Sequence, residues 1–357
     1  MAKDLYMKNK KNNFIYRNII KRKNPYIIAE IGINHNGNIN LAKKMILSAK
    51  KNGAACVKFQ ALIADRYISK YANKAGYQKR VKRVKTLSQL EIIKACEISF
   101  EGMKKLKNYA AKINIDFLCT PFEIWSLKAL IQLKVKAIKI SSCNLTNIPF
   151  LKLAAKTKVP VLLSTGMAKI EEVKEAVNIF KKSGSPLLIF QCTSNYPASI
   201  ENTNMSVLTT YKKLFNCPVG YSDHTPSNLP AITAISLGAV AIEKHFTLSK
   251  KLEGIDQKAS IEPHELRKLV DLSIITKKVL GSAKKFQTTE EKDTAKSLRR
   301  SLVASQNLYE GQKIMKSHIS IKRPGIGIEP KYLNKIVGKK LKKNIKIDQV
   351  FKHNYFK

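Results

Sequence analysis

Strand-length apolar runs alternate along most of this chain with segments of helical periodicity. Eight runs predict β-strands, and each ends in polar residues: YIIAEIGIN, AACVKFQ, DFLCTPF, AIKISSCN, VPVLLSTG, PLLIFQCTSNY, PVGYSDH and AVAIEKHF. The segments between them, such as NLAKKMILSAKKNG and KIEEVKEAVNIFKKSG, have the apolar spacing of helices, and several end in the Gly that typically follows a helix. Eight βα units favour a closed barrel over an open sheet. The predicted fold class is α/β, a (β/α)8 TIM barrel followed by a small β-rich domain.

The same pattern divides the chain into segments. Residues 1–24 mix lysines with NFIYRNII and predict an N-terminal extension that forms a short hairpin or lid. Residues 25–287 predict the barrel, polar residues 288–297 a linker, and the short Gly- and Pro-broken runs of 298–357 the small domain. The long insertion from Ala61 to Asn114, between the second and third strands, predicts a loop with one extra helix.

Length and composition agree with a large domain and a small one. The chain has 357 residues and is 44% apolar. Its apolar runs are far shorter than the roughly 20 residues that cross a membrane, and its basic N-terminus lacks the apolar stretch of a signal peptide. We therefore expect a cytoplasmic protein with no membrane partner. The six cysteines show no CxxC spacing, which favours buried free thiols over disulfides or a zinc site.

The formal net charge of +41 would ordinarily indicate a polyanion partner. The lysines, however, are spread over almost the whole length, and only residues 79–85, KRVKRVK, resemble a local patch. A stripe of interleaved aromatic residues is also lacking, so we expect a solvated Lys-rich surface and no nucleic-acid partner. A basic barrel that binds nucleic acid remains the alternative from a different functional class.

Candidate chemistry lies at the carboxyl ends of the predicted strands, where TIM barrels place their active sites. His224 and His245 follow two consecutive strands, so their imidazoles suit a shared divalent metal ion, although each could also be a hydrogen-bonded structural residue. Lys58 and Lys139, together with nearby hydroxyls, predict a cradle for a phosphate or carboxylate. Either lysine could instead form the Schiff base of an aldolase. Glu30 could act as an acid or base, or could simply pair with a lysine.

A set of motifs in a fixed order resembles one known family. These motifs are AEIGINHNGN, VKFQ, TPF, LSTGM, QCTSNYP, GYSDHT, EKHFT and the late KRPGIG. They are similar to the sialic acid synthase family, whose members make N-acetylneuraminic, legionaminic or pseudaminic acid. The resemblance extends from about Tyr26 to Phe351 and identifies the small domain with the antifreeze-like (SAF) domain that follows the barrel in this family.

The resemblance implies condensation of phosphoenolpyruvate with the open-chain form of an N-acetylated, mannosamine-type hexosamine, with release of phosphate by C–O cleavage. Mn²⁺ or Mg²⁺ would be held by His224 and His245 and would bind the sugar aldehyde oxygen, and Glu30 matches the acid–base residue. The positions that match phosphoenolpyruvate-binding residues are Lys58, Gln60, Thr120, Lys139, Ser142, Ser164 and Ser222. Family members form domain-swapped homodimers, and we expect the same here.

On the sugar side the resemblance implies contacts by Asn144, Tyr196, Asp256 and Arg323. Arg323 would reach the partner's site in the dimer; without the resemblance it would be taken for a surface charge before a Pro-Gly turn. Asn144 stands where the family often has an acidic residue, a departure that bears on the sugar more than on the reaction.

Gln257 stands where a His is common, while Asp256 and the KAS run that follows Gln257 are retained. The retained residues favour the neuraminate or legionaminate branch over the pseudaminate branch. We therefore expect an N-acetylneuraminate synthase-like enzyme. The alternatives are a legionaminate or pseudaminate synthase acting on a 2,4-diacetamido-6-deoxy hexose, a Schiff-base aldolase, and a relative that binds substrate without turning it over.

Overall fold

A computed structural model describes residues 14–79 and 86–357, and within these ranges eight parallel strands form a barrel. The strands are β1 Tyr26–Gly32, β2 Cys56–Ala61, β3 Asp116–Pro121, β4 Ile138–Ile140, β5 Val161–Ser164, β6 Leu187–Cys192, β7 Val219–Asp223 and β8 Ala241–His245. Their hydrogen-bonded order is β3-β2-β1-β8-β7-β6-β5-β4, and β3 lies beside β4, which closes the sheet. The predicted (β/α)8 fold is confirmed.

Helices surround the strands and cover their outward faces. They are α1 Ile39–Lys51, α2 Ala64–Tyr67, α3 Gly76–Lys79, α4 Gln89–Lys94, α5 Phe100–Lys112, α6 Ile124–Gln132, α7 Ile148–Lys156, α8 Ile170–Ser183, α9 Val207–Phe215, α10 Leu229–Ser236 and α11 Pro263–Leu280. Across the described ranges, no helix is both long and apolar enough to span a bilayer. The large core between strands and helices contains residues from both layers, for example Ile242 of β8 and Leu266 of α11.

The insertion between β2 and β3 contains more structure than the single extra helix that we expected. Three short helices, α2, α3 and α4, precede α5. Helix α4 begins at a capping box in which Ser88 and Glu91 satisfy each other's backbone N–H groups, a local signal that fixes its start. Most of the basic run at 79–85 lies outside the described residues.

The barrel interior changes from apolar to polar along the strands. Successive side chains of a strand point to opposite faces, so every second residue faces inward. In β1 the inward positions are Tyr26, Ile28 and Glu30, and in β5 they are Leu162 and Ser164. The amino end of the barrel is therefore filled with hydrocarbon, and the polar side chains collect at the carboxyl end.

The described part of the N-terminal extension forms a π-helical turn, Ile15–Ile20, rather than the expected hairpin or lid. Ile15 and Ile19 are four residues apart, so both lie on one face of the turn. They are buried with Phe14 in the cluster that contains Tyr26 and Ala241, the first residues of β1 and β8. The turn therefore closes the amino end of the barrel, opposite the polar end.

A second compact unit, Ser282–Lys357, begins slightly before the predicted boundary at residue 288. It contains helix α12 Thr289–Leu298, strands β9 Ser301–Ala304 and β10 Ile319–Lys322, and helix α13 Leu333–Ile336. The two strands pair antiparallel over a core that includes Leu302 and Phe351. The segment expected to be a linker, residues 288–297, is largely helix α12, because Thr288 and Glu291 form a capping box at its start.

The closure of the amino end predicts a specific stability effect. Ile15→Ala should lower the free energy of unfolding of the barrel by about 3 kcal/mol, because it leaves a cavity among fully buried side chains. Urea unfolding followed by circular dichroism measures this change. The control is Arg17→Ala, which removes an exposed side chain of the same turn. Equal effects of the two substitutions would show that the turn is not packed against the barrel.

Candidate active site

A cavity of about 340 Å³ opens among the polar carboxyl ends of the strands. The residues predicted for catalysis, for metal binding and for phosphoenolpyruvate binding all line it, and so do two of the predicted sugar-side residues. The predicted residues in its wall are Glu30, Lys58, Gln60, Thr120, Lys139, Ser142, Ser164, Tyr196, Ser222, His224, His245 and Asp256. The fold thus places the side chains predicted from the strand ends in one cavity, although they come from widely separated parts of the sequence.

Two buried lysines share one carboxylate at the floor of this cavity. Lys139 Nζ lies 2.7 Å from both carboxylate oxygens of Glu243, on the opposite side of the barrel. Lys58 Nζ lies 3.6 Å from Glu243 Oε1 and donates to Thr120 Oγ1 at 2.9 Å. Ser222 Oγ donates to Glu243 Oε1 at 2.9 Å. Glu243 therefore acts as the internal counter-ion of the lysine pair.

Burial and mutual charge set the ionisation of this group. Burial acts to raise the pKa of Glu243, but Lys139 and Lys58 outweigh it and lower that pKa to about 2. Burial alone would lower the pKa of Lys58, yet Glu243 and Glu30 raise it above its ordinary value. For Lys139, burial prevails over the attraction of Glu243 and lowers the pKa. Glu243 is thus a carboxylate at neutral pH, held between two ammonium groups.

Hydroxyl groups form a second part of the cavity wall. Ser142 Oγ accepts a hydrogen bond from the backbone N–H of Gly166 at 2.9 Å, in the turn after β5. A side chain at Gly166 would collide with Ser194 Oγ, so glycine is needed for this close approach. Together with Ser164, these groups offer neutral donors without bulk beside the lysines, which suits an oxyanion.

Glu30 lies beside the lysine pair with 1% of its surface exposed. Its Oε1 lies 3.1 Å from Lys58 Nζ and accepts a hydrogen bond from Gln60 Nε2 at 3.2 Å. Its Oε2 has no hydrogen-bond partner within the described residues. Burial raises the pKa of Glu30, and Lys58 offsets this only in part. Glu30 therefore pairs with a lysine and also keeps one carboxyl oxygen without a hydrogen bond in the described residues, and its acid–base role stays a prediction.

The two histidines face each other at the mouth, with ring centroids 5.5 Å apart. His224 Nδ1 lies 2.8 Å from the backbone oxygen of Thr193, so Nδ1 carries a proton. Burial acts to lower the pKa of His224, but Cys192 and the Thr193 carbonyl outweigh burial and raise that pKa. His245 Nδ1 is buried and has no hydrogen-bond partner among the residues that the structure describes. Burial first, and then His224, hold the pKa of His245 well below its usual range. In its neutral form each imidazole can coordinate a metal.

Two carboxyl groups lie in the same cavity wall as the histidines. Asp256 Oδ2 lies 3.8 Å from His245 Nδ1, and Glu30 Oε2 is the unpartnered oxygen described above. Burial, reinforced by Glu30, raises the pKa of Asp256 to about 6. The ring of Tyr196 packs at 4.1 Å from the His224 ring and 5.6 Å from the His245 ring, centroid to centroid. Imidazole nitrogens beside carboxylate oxygens fit Mn²⁺, and also Mg²⁺, so the residues present fit the predicted metal.

The structure does not bring Asn144 or Arg323 to this cavity wall. Asn144 is buried in the turn after β4, where its side chain donates to the backbone oxygen of Phe122 and accepts from Asn147, both at 3.1 Å. Arg323 is exposed and belongs to the second compact unit. The sugar contacts assigned to these two residues stay predictions. Gln257 is buried behind the cavity, where its side chain donates to the backbone oxygen of Asn34 at 2.9 Å.

Sequence reasoning gave no role to several groups in the wall. Glu243 was recognisable, because it lies two residues before His245 on the same strand and so faces the same side. Gln78 and Gln89 come from the insertion between β2 and β3, and Gln89 Oε1 is buried without a partner in the described ranges. Periodicity gave no signal for these two amides, because short helices in a long insertion carry little pattern.

The fold and the site together define a TIM-barrel protein with a preformed anion cradle beside a candidate metal centre. Comparison with known proteins narrows this class. Residues 45–285 match the NeuB family, and residues 299–354 match the SAF domain. The chain therefore belongs to the NeuB family, which confirms the resemblance seen in its motifs and the identity of its small domain.

The similar proteins are synthases of related sugar acids. The chain is 40% identical over 325 residues to the N,N'-diacetyllegionaminic acid synthase of Legionella pneumophila, covering 90% of this chain and 91% of that one. It is 32% identical over 335 residues to a pseudaminic acid synthase of Campylobacter jejuni, covering 94% and 97%. The crystal structure of an N-acetylneuraminic acid (sialic acid) synthetase from Leptospira borgpetersenii aligns with a TM-score of 0.69 and 36% identity, covering 76% of this chain and 90% of that chain.

The depressed pKa of Glu243 predicts how acid affects stability. A carboxylate whose pKa is lowered by folding stabilises the folded state above the ordinary glutamate pKa, and this contribution disappears as the pH falls towards about 2. Glu243→Gln removes it and leaves two buried ammonium groups without their counter-ion. At pH 7 the variant should be less stable than the wild type by about 3 kcal/mol, and this difference should shrink steadily between pH 5 and pH 2.

Urea unfolding at a series of pH values measures the difference. Glu201→Gln, which removes an exposed carboxylate from the same unit, is the control and should unfold like the wild type throughout. A difference between Glu243→Gln and wild type that does not change with pH would contradict the assigned ionisation.

Proposed function

We propose that this protein is a nonulosonic acid synthase that condenses phosphoenolpyruvate with the open-chain form of an N-acetylated, mannosamine-type sugar. A C–C bond forms between C3 of phosphoenolpyruvate and the aldehyde carbon of the sugar. Water adds at C2. The bond between C2 and the oxygen that carries the phosphoryl group then breaks, so inorganic phosphate leaves and C2 becomes the ketone. The observation that carries this proposal is a single cavity that holds a lysine–hydroxyl cradle beside two facing imidazoles, in a member of the NeuB family.

The lysine pair is suited to the anionic donor. Phosphoenolpyruvate carries a phosphate and a carboxylate close together, and Lys58 and Lys139 offer two ammonium groups on opposite sides of Glu243. Glu243 keeps both lysines charged and apart before the substrate arrives. Thr120, Ser142, Ser164 and Ser222 supply hydroxyls around them, with Gln60 alongside. Such preorganised donors stabilise charge at low reorganisation cost.

Glu30 is the proposed acid–base residue. Its buried carboxyl group has a raised pKa and an unpartnered oxygen, which suits it to donate and to accept a proton. It gives this proton to the aldehyde oxygen as the C–C bond forms. The resulting carboxylate takes one proton from the water that adds at C2, which restores Glu30. The remaining proton of that water leaves with the phosphate as C2 becomes the ketone, so the reaction balances.

His224 and His245 are the residues that would hold the divalent ion, with the carboxyl group of Asp256 3.8 Å from His245 Nδ1. Bound there, Mn²⁺ or Mg²⁺ would polarise the sugar aldehyde. The carbonyl of Thr193 holds the proton of His224 on Nδ1, so that Nε2 is the atom for the ion. The chain itself thus places two imidazoles next to the cradle that orients the donor.

The acceptor is proposed to contact Tyr196 and Asp256 in the wall, with Asn144 and the partner's Arg323 as further predicted contacts. The identity of 40% with a legionaminic acid synthase, against 32% with a pseudaminic acid synthase, favours the legionaminate branch if the acceptor is a 2,4-diacetamido-6-deoxy sugar, the alternative to N-acetylmannosamine itself. Phosphoenolpyruvate and activated sugars are made in the cytoplasm, which is the proposed place of action.

A Schiff-base aldolase is the competing enzyme class. Burial lowers the pKa of Lys139, as a nucleophilic amine requires. Lys139, however, donates to both oxygens of an ionised carboxylate, and Lys58 donates to Thr120 and lies beside two carboxylates. Both amines are thereby held as ammonium groups, which supports anion binding.

The proposed reaction predicts metal- and sugar-dependent release of phosphate from phosphoenolpyruvate. With Mn²⁺, release should occur with N-acetylmannosamine or with its 2,4-diacetamido-6-deoxy counterpart, and not without sugar. A chelator should abolish it, and borohydride should trap no substrate on the protein. His245→Asn should lower the rate by at least about a hundredfold, whereas His264→Asn, which alters an exposed histidine of α11, should not.

The measurement is a phosphate-release assay, with folding of each variant checked by circular dichroism. Metal-independent turnover with a borohydride-trapped lysine would overturn the proposal in favour of the aldolase. Tight, salt-dependent binding of a nucleic acid, without turnover of either sugar, would favour the basic barrel instead.

The proposed homodimer predicts complementation between two variants that are each impaired at limiting sugar. Arg323→Ala should raise the KM for the sugar and leave phosphoenolpyruvate binding unchanged, while Arg300→Ala, also exposed in the small unit, should have little effect. If Arg323 acts in the partner's barrel, mixed dimers of Arg323→Ala with His245→Asn contain one complete site and should regain sugar turnover. The assay is phosphate release at limiting sugar after co-expression. Elution of the wild-type protein as a monomer in size-exclusion chromatography would exclude the domain swap. A lack of rescue in confirmed mixed dimers would exclude it as well.

A further inference from the structure

Each candidate metal ligand follows directly after a member of one buried ion pair. Asp223 precedes His224, Lys244 precedes His245, and Asp223 Oδ2 lies 2.6 Å from Lys244 Nζ. Both side chains are almost fully buried. The two residues are also direct partners in the register between β7 and β8. The ion pair therefore joins the two strands at the last positions before the histidines.

The pair lies behind the cavity wall. Inward-facing Ser222 and Glu243 line the cavity, and the alternation of side chains turns the next residue of each strand, Asp223 and Lys244, to the opposite face. Neither member is among the cavity-lining residues in the described part of the chain. The pair therefore acts on the site only through the backbone that it holds.

Lys244 directs two of its three donors to the segment that follows His224. Besides Asp223 Oδ2, its Nζ donates to the backbone oxygens of Thr225 at 2.7 Å and of Ser227 at 2.8 Å. Asp223 Oδ1 accepts from the backbone N–H of Thr225 at 2.8 Å. Lys244, the residue before His245, is thus hydrogen bonded to the turn that follows His224.

The remaining backbone bonds hold each histidine separately. The carbonyl of His224 accepts from Ala198 N at 2.9 Å, and the carbonyl of His245 accepts from Ile261 N at 2.8 Å. These bonds attach the two residues to different loops. Within the described residues, the Ser222–Glu243 hydrogen bond joins the same two strands inside the cavity, and the Asp223–Lys244 pair joins them behind it, at the positions next to the histidines.

Stability alone is a weak explanation for such a pair. Removing two charges from water costs about as much as their attraction returns, and well-packed neutral residues are often as stable at such positions. The pair does supply directional bonds to a turn, which an apolar pair could not. Groups that hold metal-binding residues in place commonly change metal affinity by about 10- to 100-fold.

We propose that Asp223 and Lys244 are positioning residues that set the spacing and orientation of His224 and His245 and thereby the affinity for the divalent ion. This inference rests on the proposed function, because it takes the two histidines as the metal ligands. Neither residue contacts substrate or exchanges a proton in the reaction.

The test is Mn²⁺ binding by the full-length protein, followed by the electron paramagnetic resonance signal of the free ion. The Asp223→Asn/Lys244→Met double variant removes both charges together and leaves neither unpaired. Its dissociation constant for Mn²⁺ should rise by about tenfold or more. Its melting temperature, measured separately, should fall by only a few degrees.

A matched control is the Asp65→Asn/Lys94→Met double variant. This removes another ion pair, of 2.7 Å, in the same unit, one that is exposed and does not connect β7 with β8. Its Mn²⁺ dissociation constant should stay within about twofold of the wild-type value, as expected for a surface pair. Lys244→Arg takes the place of the first double variant if that protein does not fold, because it keeps the charge but not the three-acceptor geometry.

The outcomes separate this inference from the proposed function. Wild-type protein that binds no Mn²⁺ at millimolar concentration would overturn the metal site itself. Wild-type protein that binds Mn²⁺, with an unchanged dissociation constant in the Asp223–Lys244 variant, would overturn the positioning role alone. Equal weakening in both double variants would likewise reject it, because the effect would then be general.

Discussion

Two ammonium groups buried in the same barrel need a counter-ion, and Glu243 supplies it. Without that carboxylate, Lys58 and Lys139 would repel each other in a medium that screens charge poorly, and the interior would favour their neutral forms. With it, both lysines stay charged, and Lys139 is tied across the barrel from β4 to β8. The cradle is therefore built before any substrate binds. Its cationic character depends on one acidic residue that has no obvious partner in the sequence.

The alternation of strand side chains explains why so much of the site was visible in the sequence. Glu30, Lys58 and His245 stand at inward positions near the strand ends, and a period of two places them on one face without knowledge of the loops. The parallel order of the strands then brings their carboxyl ends together. The common function of these residues was recognisable because the motifs occur together and in order. Glu243 shares this periodic signal, but its bond to Lys139 crosses the barrel and no local pattern reports such a contact.

Features that depend on tertiary packing were harder to predict from the sequence. The turn at Ile15–Ile20 has a short apolar pattern that suits either a hairpin or a helix, and only the open amino end of the barrel selects the helical form. Asn144 illustrates the same limit at the site. Its sequence position suggested a sugar contact, whereas its amide is hydrogen bonded to Phe122 and Asn147. An acidic side chain could not donate to the Phe122 carbonyl as this amide does, so the substitution also changes how the turn is held.

Along strands β7 and β8, alternate residues have separate functions on the inner and outer faces of the barrel. Ser222 and His224 alternate with Asp223, and Glu243 and His245 alternate with Lys244. The inward set contains residues proposed to bind the anion and the metal, and the outward pair hydrogen bonds the turn after His224 to β8. Because the two sets occupy alternate positions on the same strands, a displacement of either strand would disturb the cradle and the histidine pair together. The geometry of the proposed metal centre is thus coupled to the lysine–carboxylate group through the backbone, even though the two sites make their contacts with different side chains.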